Sequence, residues 1–429
     1  MSPQAAETPP AALPRERRAA ALDWLARGPF AMGAAALQGS MNYAIVLWLS
    51  FSAGLAETGA YRTLFSYYSL LALATMFESN KVFLRAAVDG DREAGTAVFA
   101  NRLVFGFAAF LVVLAAWGID RAVGGGCVPG VLVPIALISA LVYPFDLYIA
   151  DLQAGRRFQR LFLVEVAKYA LALGTFVALF ASGAGITGAV LGQLLVLGAC
   201  NIAFFVIHSR RRVRFRSIPG RWGAMLRSPA AGQARTYSFA NMFPASLEHL
   251  DKLLVGQVFG LAFLGVYTLA YSTGRFLYNT LKPALYIYYR RFVDRMPGWA
   301  LLRRVSAAFT VLGLICAAAF LLLVEFVPGM ARFGDGRWVT VILFLGYGLG
   351  ILHAVYSQAF ALNKESVAGH SFKAHALATV ASAGFLVAAL LSRPAVALVL
   401  LALQYPIRDG LSVLLMDRYR RRAVSSPEA

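Results

Sequence analysis

The sequence predicts an all-α polytopic membrane protein: twelve transmembrane helices in two parallel six-helix lobes around a central cavity. Three observations carry that expectation. Of 429 residues, 59% are hydrophobic and 14% charged, with mean hydropathy +0.65, a balance suited to lipid rather than water. Apolar runs of about 17 to 27 residues, the length that crosses a bilayer core, recur between turn-forming or charged segments. Assigning alternate loops to the cytoplasm puts 30 of the 40 Lys and Arg there. Five (Arg62, Arg121, Arg332, Arg337, Arg393) fall outside and five within spans, so both termini are expected on the cytoplasmic side.

Residues 1–29 are polar, proline-containing and basic, with no apolar core ahead of a small-residue cleavage site; a cytoplasmic tail is expected rather than a cleaved signal. The first lobe, 30–208, holds spans at 30–54, 62–80, 103–119, 129–150, 161–182 and 187–208. A basic linker at 209–235 follows, expected to set topology and touch anionic headgroups. The second lobe, 236–416, holds spans at 236–259, 262–289, 305–328, 338–361, 374–391 and 395–416, and a cytoplasmic tail occupies 417–429. Pro144, Pro244, Pro283 and Pro406 lie inside spans, where each removes a backbone hydrogen bond and predicts a kink or hinge.

Composition also excludes function classes. The net charge of +19 sits between apolar segments rather than in a soluble domain, so topology accounts for it and nucleic acid does not. Cys127, Cys200 and Cys316 are scattered and odd in number, against a disulfide framework or zinc site. No phosphate-cradling glycine loop, H-E-x-x-H or paired-cysteine motif occurs, so neither cofactor nor metal is expected, and energy must come from an ion gradient or from concentration differences. The longest external loops, about ten residues by this partition, leave no room for a catalytic domain, which argues against an enzyme of glycan assembly.

Gly54-Leu55-Ala56-Glu57-Thr58-Gly59-Ala60-Tyr61 returns 206 residues later as Gly260-Leu261-Ala262-Phe263-Leu264-Gly265-Val266-Tyr267, and Ser66/Ser272 and Leu71/Leu277 continue the match. Each copy joins the first two spans of a half. Locally the motif reads as a tight glycine-permitted turn; as a recurrence it predicts parallel repeats facing each other, an architecture with a binding site between them.

The eighth span carries Tyr267, Tyr271, Arg275, Tyr278, Lys282, Tyr286 and Tyr289 at steps of three and four, one helix face. A cation near the bilayer centre costs roughly 2.5–3.5 kcal/mol, so this face is expected to meet a wet or protein-lined cavity. Arg275 and Lys282 have no acid three or four residues away, and stand about 10.5 Å apart along the helix. An anionic ligand is the expected partner, with the Arg fork suited to phosphate oxygens. The tyrosines either stack on sugar rings or pack. In the seventh span Glu248 and Lys252 are spaced to neutralise each other, which leaves Asp251 as a carboxylate able to exchange a proton or hold sodium, with Glu248 as the second ion-coupling candidate. Lys252 and Lys168 are further cavity candidates, although Glu165 is placed to pair with Lys168 and Asp409 with Arg408. Gln38 and Asn42 share a face of the first span and could hydrogen-bond sugars or another helix; His353 reads as a packed neutral histidine. Glu78 and Asp146 are expected to pair with Lys81, Arg85 or Arg156. At offset 206, Arg275 and Lys282 match Ser69 and Met76, and Glu248 and Lys252 match Asn42 and Val46, so ligand selectivity is expected in the second lobe.

The run Leu250-Asp251-Lys252-Leu253-Leu254-Val255-Gly256, with Gly260, Gly265-Val266-Tyr267 and Leu269-Ala270-Tyr271, resembles the start of the second half of bacterial polysaccharide (O-antigen or exopolysaccharide, Wzx-like) flippases. These belong to the multidrug/oligosaccharidyl-lipid/polysaccharide exporter (MOP) superfamily. The resemblance implies a V-shaped bundle whose first, second, seventh and eighth helices line the cavity. It also implies transport of an undecaprenyl-diphosphate-linked oligosaccharide across the inner membrane by ion-coupled alternating access, for lipopolysaccharide or exopolysaccharide, alongside glycan-assembly partners. Two relatives remain as alternatives: a multidrug exporter, which would be expected to present acids to cationic drugs, and a peptidoglycan-precursor flippase, which has two further C-terminal helices.

Overall fold

A computed structural model describes residues 14–282, 292, 297–362 and 368–425; side chains at 14–27, 35, 38, 361–362, 368–371, 420 and 422–425 are left aside. Among the described residues there is no strand, and each expected span is met by helix. The first half comprises α1 (Pro14–Ser52), α2 (Leu55–Ala74) with α3 (Asn80–Asp89), α4 (Arg92–Ala122), α5 (Leu132–Val142) with α6 (Tyr148–Ala154), α7 (Phe158–Ala181) and α8 (Gly185–His208). The linker holds α9 (Ile218–Arg227). The second half comprises α10 (Pro229–Phe259), α11 (Leu261–Leu281), α12 (Trp299–Phe326), α13 (Arg337–Leu345) with α14 (Tyr347–Leu362), α15 (Ala368–Leu390) and α16 (Pro394–Ser425).

Local chemistry moves several expected boundaries. Asp91 caps α4, its carboxylate accepting the Glu93 and Ala94 amides at 2.9 Å, so that helix starts well before residue 103. Ser228 caps α10 through the Ala231 amide at 3.2 Å with Pro229 at the first helical position, so α10 takes up the end of the expected linker. Pro244 and Pro406 lie within continuous helices, while Pro144 falls in a 3₁₀ turn, Tyr143–Leu147, that separates α5 from α6. An unexpected break divides α13 from α14 at Gly346, with a bend of 52°. Pro283, Tyr286 and Tyr289 lie outside the described residues.

Seven of these passages are long and apolar enough to cross a membrane on their own, and nine if two bent pairs, within α1 and at α13–α14, each count as one. The helices left over are α2, α10 and α11, too polar to pass. They are three of the four that the resemblance places at the cavity, and they meet in the middle of the fold: α2 and α1 both pack on α11, and α2 also on α10. Around them α4, α5, α7 and α8 pack together on one side and α12 to α16 on the other. The outer faces are apolar, as with Leu111 and Val112 on α4, exposed at 59% and 68%.

The repeat explains the seam. Gly54 and Gly260, 206 residues apart, have φ of +102° and +87°, backbone that side chains disfavour, and each starts its helix. Gly59 lies so close to Leu261 that a Cβ would sit 2.0 Å from that residue's carbonyl oxygen; Gly265 stands in the same relation, also at 2.0 Å, to Leu55. The first turns of α2 and α11 thus cross backbone to backbone through a two-fold pair of contacts. Nearby, Arg332 Nη1 donates to the Ser50 carbonyl at 2.5 Å. Further along, the Tyr43 and Thr273 hydroxyls meet at 3.2 Å, and Asn241 Nδ2 donates to Glu78 at 2.6 Å, so the halves touch at both ends and between.

Gly59→Ala and Gly265→Ala should each lower thermal stability in detergent, by roughly 1–3 kcal/mol, because backbone must part to admit a methyl group. Gly174→Ala, which has nothing within 4 Å, should leave the melting temperature unchanged or raised; equal behaviour of the three variants would refute the contact.

A charged cluster at the seam

The residues expected to carry chemistry fall into two groups. In the first, Lys252 and Asp251 are both fully buried. Lys252 Nζ donates to Asp251 at 2.9 Å, to the Tyr405 hydroxyl at 2.7 Å and to the Glu248 backbone carbonyl at 2.5 Å. Asp251 also accepts from the Tyr267 hydroxyl (3.0 Å), Gln404 Nε2 (2.9 Å) and the Tyr405 hydroxyl (2.9 Å). The expected pairing of Lys252 with the Glu248 side chain is therefore overturned. Gln404 and Tyr405 of α16 converge on the face of α10 that carries Asp251, and the lysine stem bends to that gathering of polar groups rather than to the carboxylate a turn earlier. Asp251 is not the leftover acid, and Lys252, its three protons committed, offers none to a ligand.

Glu248 is the acid left over. Its carboxylate accepts from the Tyr271 hydroxyl, lies 3.8 Å from Arg408, and is 28% exposed. Arg408 is held by Asp409 at 3.3 Å and by the Pro244 carbonyl at 3.2 Å, and Asp409 also lies 3.3 Å from His353 Nδ1, so the expected Arg408–Asp409 pairing is present and His353 adjoins it.

Arg275 sits beside this group without joining it. Its guanidinium lies over the rings of Tyr278 (4.9 Å) and Tyr405 (5.1 Å), and it makes no hydrogen bond or ion pair among the described residues. The charges of Asp409 and Glu248 act on it from other helices. Lys282, half-buried, lies 5.9 Å from the Tyr278 ring. Tyr278 is buried, its hydroxyl donating to the Gly350 carbonyl at 2.9 Å, and Tyr271 is buried with its ring 4.3 Å from Lys252 Nζ, so both tyrosines support the cations in this conformation.

One cation was missed by sequence reasoning. Arg62, assigned there to an external loop, lies in the second turn of α2, 5.9 Å from the Tyr271 ring, with a buried Nε that has no hydrogen-bond partner. The repeat held the signal. The eighth span was drawn from residue 262, and the offset of 206 puts its counterpart at 56, which places Arg62 inside the helix. The first half is therefore not neutral at the seam, contrary to what the match of Arg275 and Lys282 to Ser69 and Met76 suggests.

The remaining candidates lie elsewhere. Lys168 is buried against Glu165 (2.7 Å) and the Tyr148 hydroxyl (2.9 Å), the internal pairing the sequence allowed. Asn42 is half-buried and accepts from the Tyr61 hydroxyl at 3.4 Å, while the Gln38 side chain falls outside the described residues. Glu78 pairs with Lys81 at 2.6 Å as expected, but Asp146 pairs with Arg102 of α4, because the 3₁₀ turn after α5 carries it toward that fully buried guanidinium.

Comparison with known proteins gives a family and a fold. Residues 26–286 match a family model described as polysaccharide biosynthesis protein, a stretch that includes both copies of the repeat. No curated protein matches the sequence. Among solved structures, a MOP superfamily transporter from Pyrococcus furiosus, described as having a binding pocket of reverse polarity, aligns with TM-score 0.52 and 15% identity over 94% of this chain and 95% of its own. An outward-facing multidrug resistance MATE family transporter of the same superfamily gives 0.52 and 15% over 95% and 96%. A Vibrio cholerae MATE transporter in its bent form gives 0.55 and 13% over 95% and 98%. At these identities the likeness is one of fold, and it bears out the expected architecture.

The two groups should separate by mutation. Lys252→Met or Asp251→Asn leaves a buried polar partner uncompensated and should cost about 3–5 kcal/mol, whereas Glu248→Gln should change melting far less. Thermal unfolding of the purified variants checks this ordering; a Glu248→Gln loss as large as the others would reverse it.

Proposed function

The chain belongs to the polysaccharide biosynthesis protein family and has the fold of MOP superfamily transporters, and we propose that it is a flippase for a lipid-linked oligosaccharide. In this reading the substrate is carried on undecaprenyl diphosphate and crosses the bacterial inner membrane, between lobes at 30–208 and 236–416, with both termini cytoplasmic. The observation that carries it is the uncompensated charge at the seam. Arg275 has no ion pair among the described residues, and Arg62 approaches Tyr271 from the opposite half. Two guanidiniums at a membrane-embedded interface favour an anion between them, and a diphosphate supplies oxygens for both forks. Lys282, about two turns beyond Arg275, is placed for an acidic sugar further along the same ligand.

Coupling falls to Glu248 in this reading. Asp251 is saturated by four donors, whereas Glu248 keeps an exposed edge and stands between Tyr271 and Arg408. Taking up a proton or a sodium ion there weakens its hold on the nearby arginines and leaves their charge to the substrate; releasing the ion restores the competition. The partly exposed Glu248 also favours the rival, an exporter of cationic drugs. The number of free cations beside it favours the anion.

Arg275→Ala, produced at normal levels in cells that depend on this chain for surface glycan, should reduce export at least ten-fold, the loss expected for one charge-assisted contact of about 1.5–3 kcal/mol. Arg275→Lys should retain part of it. Full export by the alanine variant, or drug resistance lost in its place, would overturn the assignment. In proteoliposomes, Glu248→Gln should make flipping of a fluorescent polyprenyl-diphosphate oligosaccharide indifferent to an imposed proton or sodium gradient, while the native chain responds.

A further inference from the structure

The linker between the halves is built as a fixed platform. Ser209 Oγ and Arg212 Nε donate to the two oxygens of Asp151 at 3.0 and 2.9 Å, and the Arg214 amide donates to Thr96 Oγ1 at 3.0 Å. Val213, Ile218 and Met225 are buried, and Arg235 Nη1 donates to the Leu226 carbonyl at 2.7 Å. These contacts tie residues 209–227 to α4, α6 and α8, and they consume one arginine of the seven in that segment. Arg210, Arg211, Arg214, Arg216, Arg221 and Arg227 are exposed, and none has an ion pair among the described residues. Acids are absent from the sequence between Glu165 and Glu248. The exposed Asp91 lies at the other edge of Arg212, where it is engaged as the cap of α4.

What adjoins this charge is apolar. Val206 and Ile207, 43% and 67% exposed, are on the last turn of the membrane-length helix α8, and Arg210 and Arg211 follow within about 6 Å of helix rise. Phe215, 41% exposed, stands between Arg214 and Arg216 with its ring against Phe99 (5.3 Å). Apolar side chains, then a phenylalanine, then forks that match phosphate oxygens repeat the order of a leaflet from acyl chain to headgroup. We propose that this platform binds the headgroups of anionic phospholipids and so holds the first half of the chain to the cytoplasmic leaflet. An acidic protein would complement the arginines, but has no use for the bare apolar turn beside them.

The test is lipid retention by the full chain, purified in detergent with equal amounts of phosphatidylglycerol and phosphatidylcholine and read by native mass spectrometry. The native chain should retain the anionic lipid in preference. Arg210→Gln/Arg211→Gln/Arg214→Gln/Arg216→Gln should lose that preference by at least roughly ten-fold, given the attraction each basic residue contributes beside a membrane. The same four positions changed to Lys should keep most of it, which separates charge from misfolding, and Arg303→Gln/Arg304→Gln should leave it unchanged. Equal retention of the two lipids by the native chain, as an acidic protein partner would leave it, or an undiminished preference in the glutamine variant, overturns the proposal.

Discussion

The fold turns on the backbone-to-backbone crossing of α2 and α11. Two helices that carry arginines cannot face lipid at acceptable cost, and they avoid it by lying against each other and against α1 and α10. That needs a close approach, which Gly59 and Gly265 permit by having no side chain where the partner's carbonyl passes. Because each glycine meets the residue that begins the other helix, the contact is its own mirror under the internal repeat. Neither half can alter it alone.

From that seam the charges divide into a part that is closed and a part that is open. Asp251 and Lys252 exhaust each other's hydrogen-bonding capacity with the help of Tyr267, Gln404 and Tyr405, and so fix α10 to α16. Glu248, Arg275 and Arg62 keep capacity in reserve. Position in the sequence gives no hint of this division, since Glu248 and Asp251 are three residues apart on one helix; the neighbours supplied by a helix about 150 residues later decide it.

Much of the architecture was legible because its signals are local. Apolar length gives spans, and the glycine repeat gives the turn at the head of α2 and α11. Arg275 was legible as a cation without an intrahelical acid, and its freedom from ion pairs among the described residues agrees. Pairings between distant helices were not legible: Asp146 with Arg102 depends on a 3₁₀ turn that redirects the carboxylate, and the break at Gly346 shows only once that glycine meets Pro406 on α16. Arg62 was misplaced for a simpler reason. Hydropathy starts a span where apolar residues become dense, but α2 starts where Gly54 turns the chain, and the polar first turns of a seam helix are invisible to hydropathy.

The Asp251–Lys252 contact also bears on how the chain enters the membrane. Each ion alone costs about 2.5–3.5 kcal/mol at mid-helix on insertion scales, and α10 is too polar to qualify as a span by itself. Yet the two are sequence neighbours, and the lysine's further bond goes to a carbonyl four residues back in the same helix. Lys252 therefore has two carboxylates within reach on its own helix, Glu248 and Asp251, and either can neutralise it as α10 emerges from the ribosome; Gln404 and Tyr405 decide between them when α16 arrives. The lysine thus reaches the bilayer already paired within its own helix, and α10 can wait there for α16, made about 150 residues later.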